Sequence, residues 1–284
     1  MIAITGATGQ LGRLVINALL KKVPASEIIA VVRSPEKAQD LQALGVALRT
    51  ADYNQPQTLH SAFAGVQKVL LISSSEVGQR EAQHRAVIDA AKAAGVSFIA
   101  YTSLLHADTS PLGLGVEHRA TEALLQASGI PYALLRNGWY SENYAASIAP
   151  ALAHHAFIGA AGNGRIASAA REDYAAAAAE VISRDDQAGK VYELAGDDSY
   201  TLAEFSAEIA RQSGEQVEYV NLPPAEFSAA LIGAGLPAPL AELLADSDAG
   251  AAQGALFDDS HTLSKLIGRP TTPFAAVIKA TLAK

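Results

Sequence analysis

Hydrophobic and polar positions alternate along the chain in two rhythms. Short apolar runs rich in β-branched residues, "MIAIT", "IIAVVR", "VALRT", "KVLLIS", "FIAYTS" and "YALLRN", recur from Met1 to Asn137. Their near-continuous apolar character predicts strands buried on both faces. Between them lie "LGRLVINALLKK", "SPEKAQDLQALG", "PQTLHSAFAG", "GQREAQHRAVIDAAKAAG" and "EHRATEALLQASG", with apolar residues at helical spacing. The last four end in glycine, the residue that most readily takes the left-handed turn past a helix end. Strand and helix therefore alternate, which predicts an α/β fold: a doubly wound parallel sheet of Rossmann type.

After Arg136 the rhythm changes. Residues 137–170 carry aromatics, glycines and short apolar pieces; a helix from about Glu172 to Ser183 and a strand, "VYELAG", follow. From Thr201 onward the segments "TLAEFSAEIARQSG", "PAEFSAALIGAG" and "PAPLAELLADSD" read as helices separated by Pro and Gly. The expected organisation is a Rossmann domain over residues 1–150 and a smaller, helix-rich C-terminal lobe over 151–284 that covers the substrate. Some segments of the lobe are expected to return to the sheet.

Composition narrows the function. With 284 residues the chain can bury a large core, and its formal charge of -8 comes with no clustered Lys/Arg face, which argues against a nucleic-acid partner. No cysteine is present, so thiolate nucleophiles, disulfides and cysteine-held metals are excluded, and redox chemistry would need a cofactor. The longest apolar stretches fall short of the roughly 20 residues a membrane helix needs. The chain enters a strand pattern at Ile2 without a signal peptide, so a cytoplasmic protein with small-molecule partners and no membrane is expected. The sequence carries no indication of oligomeric state.

The residues just past each strand hold the candidate chemistry, because doubly wound sheets bind ligands at their carboxyl edge. "TGATGQLG" places Gly6 at a tight turn off the first strand, Gly9 where the backbone would approach a pyrophosphate, and Gly12 where the helix packs closely. In an NAD-selective site the second strand ends near an Asp or Glu that grips the ribose; here the sequence gives "VVRSPEK". Arg33 stands in the carboxylate's place, Ser34 is a helix-capping type, Pro35 suits a first helical position and Lys37 adds a cation. This pattern fits the 2′-phosphate of NADPH. Past the fourth strand Ser73, Ser74 and Ser75 offer hydroxyls and amides to the nicotinamide side, and Asp52 stands near the adenine. Past the sixth, Asn137 suits the carboxamide while Trp139, Tyr140 and Tyr144 offer flat surfaces to a planar substrate.

Two absences shape the reading. No Tyr-x-x-x-Lys pair of the kind used by short-chain dehydrogenases occurs, so no catalytic residue can be named. His118 and Glu122, four apart on a helix, read as a solvated surface pair, and adjacent His154 and His155 cannot converge on one ion, so no metal is expected.

Together "MIAITGATGQLG", "VVRSPEKA", "ADYNQP", "LLISSSEVGQR", "AYTSLLHADTSPLGL", "LLRNGWYSENY" and "LFDDSHTLSKLIGRPTT" resemble the quinone-reductase branch of the NmrA-like, atypical short-chain dehydrogenases, with triphenylmethane reductases as relatives. The resemblance covers essentially the whole chain. It implies NADPH as cofactor and a flavin-free, two-electron reduction of quinones by direct hydride transfer. It places the cofactor on Gly6, Ala7, Thr8, Gly9, Gln10, Leu11 and Gly12, on Arg33, on Ser73, Ser74 and Ser75, on Asn137, Gly138, Trp139, Tyr140, Ser141 and Glu142, and on Arg165. Two other activities share these features: an NADP(H)-binding redox sensor without turnover, and a reductase of another aromatic substrate such as a triphenylmethane dye.

Overall fold

A computed structural model describes residues 1–283. All six early apolar runs form strands: β1 Ile2–Ile4, β2 Ile28–Val32, β3 Ala47–Thr50, β4 Lys68–Leu71, β5 Phe98–Leu104 and β6 Tyr132–Asn137. The expected late strand forms β8, Val191–Leu194, and joins them in a seven-stranded sheet ordered β3-β2-β1-β4-β5-β6-β8. The pairings from β3 to β6 are parallel, with Ile2 of β1 opposite Ile28 on one side and Lys68 on the other. Every residue of β1, β2 and β5 is buried, as their unbroken apolar runs require of strands covered on both faces. The strand order turns back between β1 and β4, which opens a crevice at their carboxyl ends.

The helices that cover this sheet are α1 Gln10–Leu19, α2 Gln39–Ala43, α3 Pro56–Ala62, α4 Arg80–Ala93, α5 Leu114–Ser128 and, returning later in the chain, α8 Arg171–Ser183. The "YAAAAAEVI" stretch makes α8 possible beside α1. Ala175, Ala177, Ala178 and Ala179 are fully buried or nearly so, and their small side chains let the two helix backbones approach.

Two compact units divide the chain. The first comprises Met1–Ala107, Val116–Asn137 and Arg171–Tyr192; the second comprises Asp108–Gly115, Gly138–Ala170 and the chain from Glu193 onward. The chain passes between the units five times, once after Asn137, so neither unit is the single stretch 1–150 or 151–284; residue 150 lies inside a helix of the second unit, α7 Ile148–His154.

The second unit has a core of its own. Tyr144, Phe157, Tyr200, Phe205 and Phe274 stack with ring centroids 4.4 to 6.5 Å apart. Its helices include α6 Ser141–Ala145, α9 Leu202–Ser213, α10 Pro224–Gly233, α11 Ala238–Ala251, α12 Thr262–Ile267 and α13 Phe274–Leu282. Thr201 and Glu204 form a reciprocal capping box that starts α9. A parallel pair, β7 Ala156–Gly159 with β9 Glu218–Asn221, lies where the sequence pattern showed no strand: four residues each are too few for a period to register. Among the described residues no helix is long and apolar enough to cross a membrane.

Candidate functional site

The glycine loop after β1 is shaped by backbone alone. Gly6 adopts φ +58°, a left-handed conformation that suits glycine, and its carbonyl accepts the Gly9 amide at 2.9 Å. A Cβ on Gly12 would stand 2.3 Å from that same carbonyl oxygen and 2.8 Å from the Ala7 Cα, so only glycine fits where α1 crosses the loop. The close approach is therefore to the loop itself rather than to the sheet. Ala7 and Leu11 point into the core, Thr8 is half-buried, and Gly6, Gly9 and Gln10 are exposed.

Helix α1 begins at Gln10 with no side chain capping it and no acidic residue in its first turn. Its first amides consequently lack intrahelical acceptors and keep the positive end of the helix dipole. An exposed glycine cradle ending on such a terminus fits the pyrophosphate of a dinucleotide.

The end of β2 differs in detail from the expected helix start. Pro35–Lys37 forms a single 3₁₀ turn, the Ser34 hydroxyl caps nothing, and α2 begins only at Gln39. The Lys37 and Ala38 amides are already donated to the Ser34 and Pro35 carbonyls. What remains for an anion here is the Ser34 hydroxyl and cationic side chains. Lys37 is exposed, and Arg33, with 64% of its side chain exposed, donates to Glu76 at 2.9 Å. Arg13, which the motif reading passed over, ties the neighbourhood together: its Nε donates to the Thr8 carbonyl at 3.2 Å, one terminal nitrogen reaches the Lys37 carbonyl at 2.5 Å, and the other pairs with Asp40. That pairing, above all its hydrogen bond, holds the Asp40 carboxyl below the usual range.

The loop after β4 is held by side chains. The Ser73 amide donates to Thr102 Oγ1 at 2.8 Å and the Ser74 amide to His84 Nε2 at 2.9 Å, while Arg80 Nε donates to the Ser74 carbonyl at 2.6 Å. The Ser74 hydroxyl accepts the Glu76 amide at 3.1 Å. Two of the amides expected to face a ligand are thus engaged within the protein, and the half-buried Ser73 hydroxyl lies 3.5 Å from Thr102 Oγ1; the exposed Ser75 is left on the loop.

Behind this loop lies a buried polar layer. His84 must carry its proton on Nδ1, because Nε2 accepts from Ser74; Nδ1 contacts Thr121 Oγ1 at 2.9 Å, and Thr121 donates to the Glu117 carbonyl. His118 Nδ1 meets the Tyr101 hydroxyl at 2.7 Å, and an Arg80 nitrogen lies 3.4 Å from its Nε2. Burial, followed by the charge of Arg80, pushes both histidines down to about 3. The reading of His118 and Glu122 as a solvated pair is corrected on both counts. His118 is buried against Tyr101, and Glu122 takes the Arg136 guanidinium at 3.0 and 2.8 Å and the Ser103 hydroxyl at 2.5 Å. Helical spacing put both on one face; that face looks inward.

At the end of β6, Asn137 is buried and its Oδ1 has no hydrogen-bond partner among the described residues. An orphaned buried acceptor costs about 1–3 kcal/mol, so its presence marks a place where a ligand's donor fits. A nicotinamide carboxamide carries such a donor.

In the second unit, Trp139 and Tyr144 prove to be packed rather than displayed. Each is 7% exposed, their rings are 6.3 Å apart, and the Tyr144 hydroxyl donates to Asp248 Oδ1 at 2.9 Å. The other Asp248 oxygen accepts the Ala160 amide at 2.8 Å; burial raises both the Asp248 carboxyl and the Tyr144 phenol. Tyr140 is half-buried, as is Glu142, while Gly138 donates to the Leu194 carbonyl at 2.8 Å. Ser141 is fully buried in a hydroxyl chain, 2.8 Å from Ser168, which is 2.6 Å from the Tyr200 hydroxyl. Arg165 is exposed but occupied by Ser199, with Glu204 at 3.7 Å.

Comparison with known proteins places the whole chain in one family. The profile of the NmrA-like family matches residues 1–269. Quinone oxidoreductase 2 of Escherichia coli is 66% identical over 275 residues, 97% of this chain and 96% of that protein. The crystal structure of the Escherichia coli NADPH-dependent quinone oxidoreductase complexed with NADPH superposes with a TM-score of 0.98 at 65% identity, covering 99% of this chain and all of the other. That of the Citrobacter sp. triphenylmethane reductase complexed with NADP(H) gives 0.95 at 39% identity, with the same coverage.

Proposed function

Because the chain belongs to the NmrA-like family, we propose that it is an NADPH-dependent quinone oxidoreductase, reducing quinones to hydroquinones by two electrons without a flavin. The observation that carries this reading is the 66% identity, over nearly the whole of both chains, to a quinone oxidoreductase. The uncapped α1 terminus, the two cations past β2 and the orphaned Asn137 acceptor support it.

NADPH, when bound, supplies the hydride. The protein's residues bind and orient. The glycine cradle and the first amides of α1 hold the pyrophosphate. Arg33 offers its planar fork, and Lys37 a point charge, to the 2′-phosphate. Ser73, Ser74 and Ser75 border the nicotinamide side, and Asn137 Oδ1 accepts from the carboxamide.

A quinone needs little more than placement, since hydride addition yields an aromatic hydroquinone anion; holding donor and acceptor together supplies most of the acceleration. The final proton comes from water or from the Tyr140 hydroxyl.

The test is to mix purified protein with NADPH and a panel of soluble quinones and to follow nicotinamide absorbance. Quinone-dependent oxidation is expected; tight NADPH binding without turnover would make the protein a sensor instead. Triphenylmethane dyes belong in the same panel, given the TM-score of 0.95 with a reductase of that name, and a dye that outcompetes every quinone would reassign the substrate. Arg33→Ala should erase most of the preference for NADPH over NADH, on the order of 1.5–3 kcal/mol for a hydrogen bond to a charged group. Equal affinity of the wild type for the two cofactors would refute that role.

A further inference from the structure

We propose that Glu76 sets how strongly this site prefers NADPH over NADH, by competing with the 2′-phosphate for Arg33; the inference rests on the NADPH reading above. Arg33 follows β2 and Glu76 follows β4, the two strands on either side of β1, so their 2.9 Å ion pair spans the carboxyl end of the central strand. Sites selective for NAD place a carboxylate at the end of the second strand. This chain has an arginine there, yet the fold delivers a carboxylate to the same place from a different strand.

Glu76 is the fixed member of the pair. Its second oxygen accepts from Gln83 Nε2 at 2.8 Å, Gln83 is only 3% exposed, and the same nitrogen lies 3.2 Å from Asn54 Oδ1. The bond from Gln83 first, and Arg33 after it, hold the Glu76 carboxyl below the usual range, so it is an anion at neutral pH. Arg33 is the movable member. Glu76 is its one hydrogen-bond partner among the described residues, and most of its side chain is in solvent.

The two dinucleotides meet this pair differently. The 2′-phosphate of NADPH brings negative charge to a guanidinium that is already half-neutralised, and faces the carboxylate that neutralises it. The ribose hydroxyl of NADH brings a donor, which a carboxylate accepts. Glu76 therefore penalises the phosphorylated cofactor and leaves the other unharmed, narrowing the gap that Arg33 opens.

Glu76→Gln keeps shape and removes charge, and the readout is the dissociation constant of each dinucleotide by calorimetric titration, without turnover. The variant should bind NADPH about two- to fivefold more tightly, the range expected of one exposed charge pair, with NADH unchanged or weaker. The gain should shrink as salt is added. Glu76→Asp should stay near the wild-type ratio, and Glu76→Ala should repeat the glutamine result if Glu76→Gln fails to fold. Weaker NADPH binding in the charge-free variants would overturn the proposal, since it would make Glu76 a support for Arg33; an unchanged ratio would overturn it as well. Wild-type protein that binds neither dinucleotide would overturn the NADPH reading itself.

Discussion

The loops after β1 and β4 border the same crevice and are built in opposite ways. The first is specified by what is absent: no Cβ at Gly6 or Gly12, no capping side chain at the start of α1. The second is specified by what surrounds it, since Thr102 of β5 and His84 and Arg80 of α4 take up the backbone of Ser73 and Ser74. A loop made by missing atoms keeps its amides for a ligand. A loop made by neighbouring side chains has spent two of them and gains a fixed position in return.

The contrast breaks most severely at Gly12. A valine there would drive its Cβ into the Gly6 carbonyl, with 2.3 Å available, and neither the loop nor α1 can yield without moving the other. Gly12→Val should cost on the order of 3 kcal/mol in denaturant unfolding and abolish NADPH binding. Gly9 has an extended backbone and 3.1 Å to the same oxygen, so Gly9→Val should leave a folded protein while still excluding the pyrophosphate. Native NADPH affinity in Gly9→Val would place the phosphate elsewhere.

The loop after β4 should instead break with pH. His84 and His118 are neutral in the fold, held down to about 3 by burial, while in the unfolded chain each titrates near 6.5. Their folded values are depressed, so their contribution to stability is fully present above pH 6.5 and is lost as pH falls from there toward 3. The loss approaches about 1.4 kcal/mol per pH unit for each histidine. His84→Gln keeps an acceptor for the Ser74 amide and removes one titrating group. Its unfolding free energy should fall less steeply than that of the wild type over this window; parallel curves would mean that His84 is not buried neutral.

The first loop was legible in the sequence because its cause is local. Three glycines at fixed spacing after an apolar run are the loop, and the six early strands announced themselves by uninterrupted runs in the same way. The second loop was not legible beyond its three serines. Its supports come from residues 80, 84 and 102, which nothing in a linear pattern connects to Ser74. The same blindness turned His118 and Glu122 into a surface pair: a histidine and a glutamate four apart look solvated until the fold puts Tyr101 and Arg136 against them. Arg13 and Glu76 escaped for the complementary reason, because each acts on a segment from another strand's end. The short β7 and β9 pair carried too few residues for any period to show.

Tyr140 and Tyr144 give the smallest and sharpest test, since an aromatic motif alone assigns them one role and the structure separates them. Tyr144 is enclosed by Trp139, Phe157 and Phe205 and gives its hydroxyl to Asp248, a carboxylate that burial has already raised. Tyr144→Phe takes one of two hydrogen bonds from that buried group and should lower stability by about 1–3 kcal/mol with the quinone KM unaltered. Tyr140 is only half-buried, and a planar ligand is proposed to lie against its ring. Stacking contributes about 0.5–1.5 kcal/mol beyond area burial, enough to orient a flat ring and too little to select among quinones, so Tyr140→Ala should raise the KM of every quinone by roughly two- to tenfold. NADPH affinity should change little, because the phosphate cradle is built from other residues. If Tyr140→Ala instead lowers kcat by orders of magnitude at saturating quinone with KM unchanged, the hydroxyl is the proton donor and its ring is incidental.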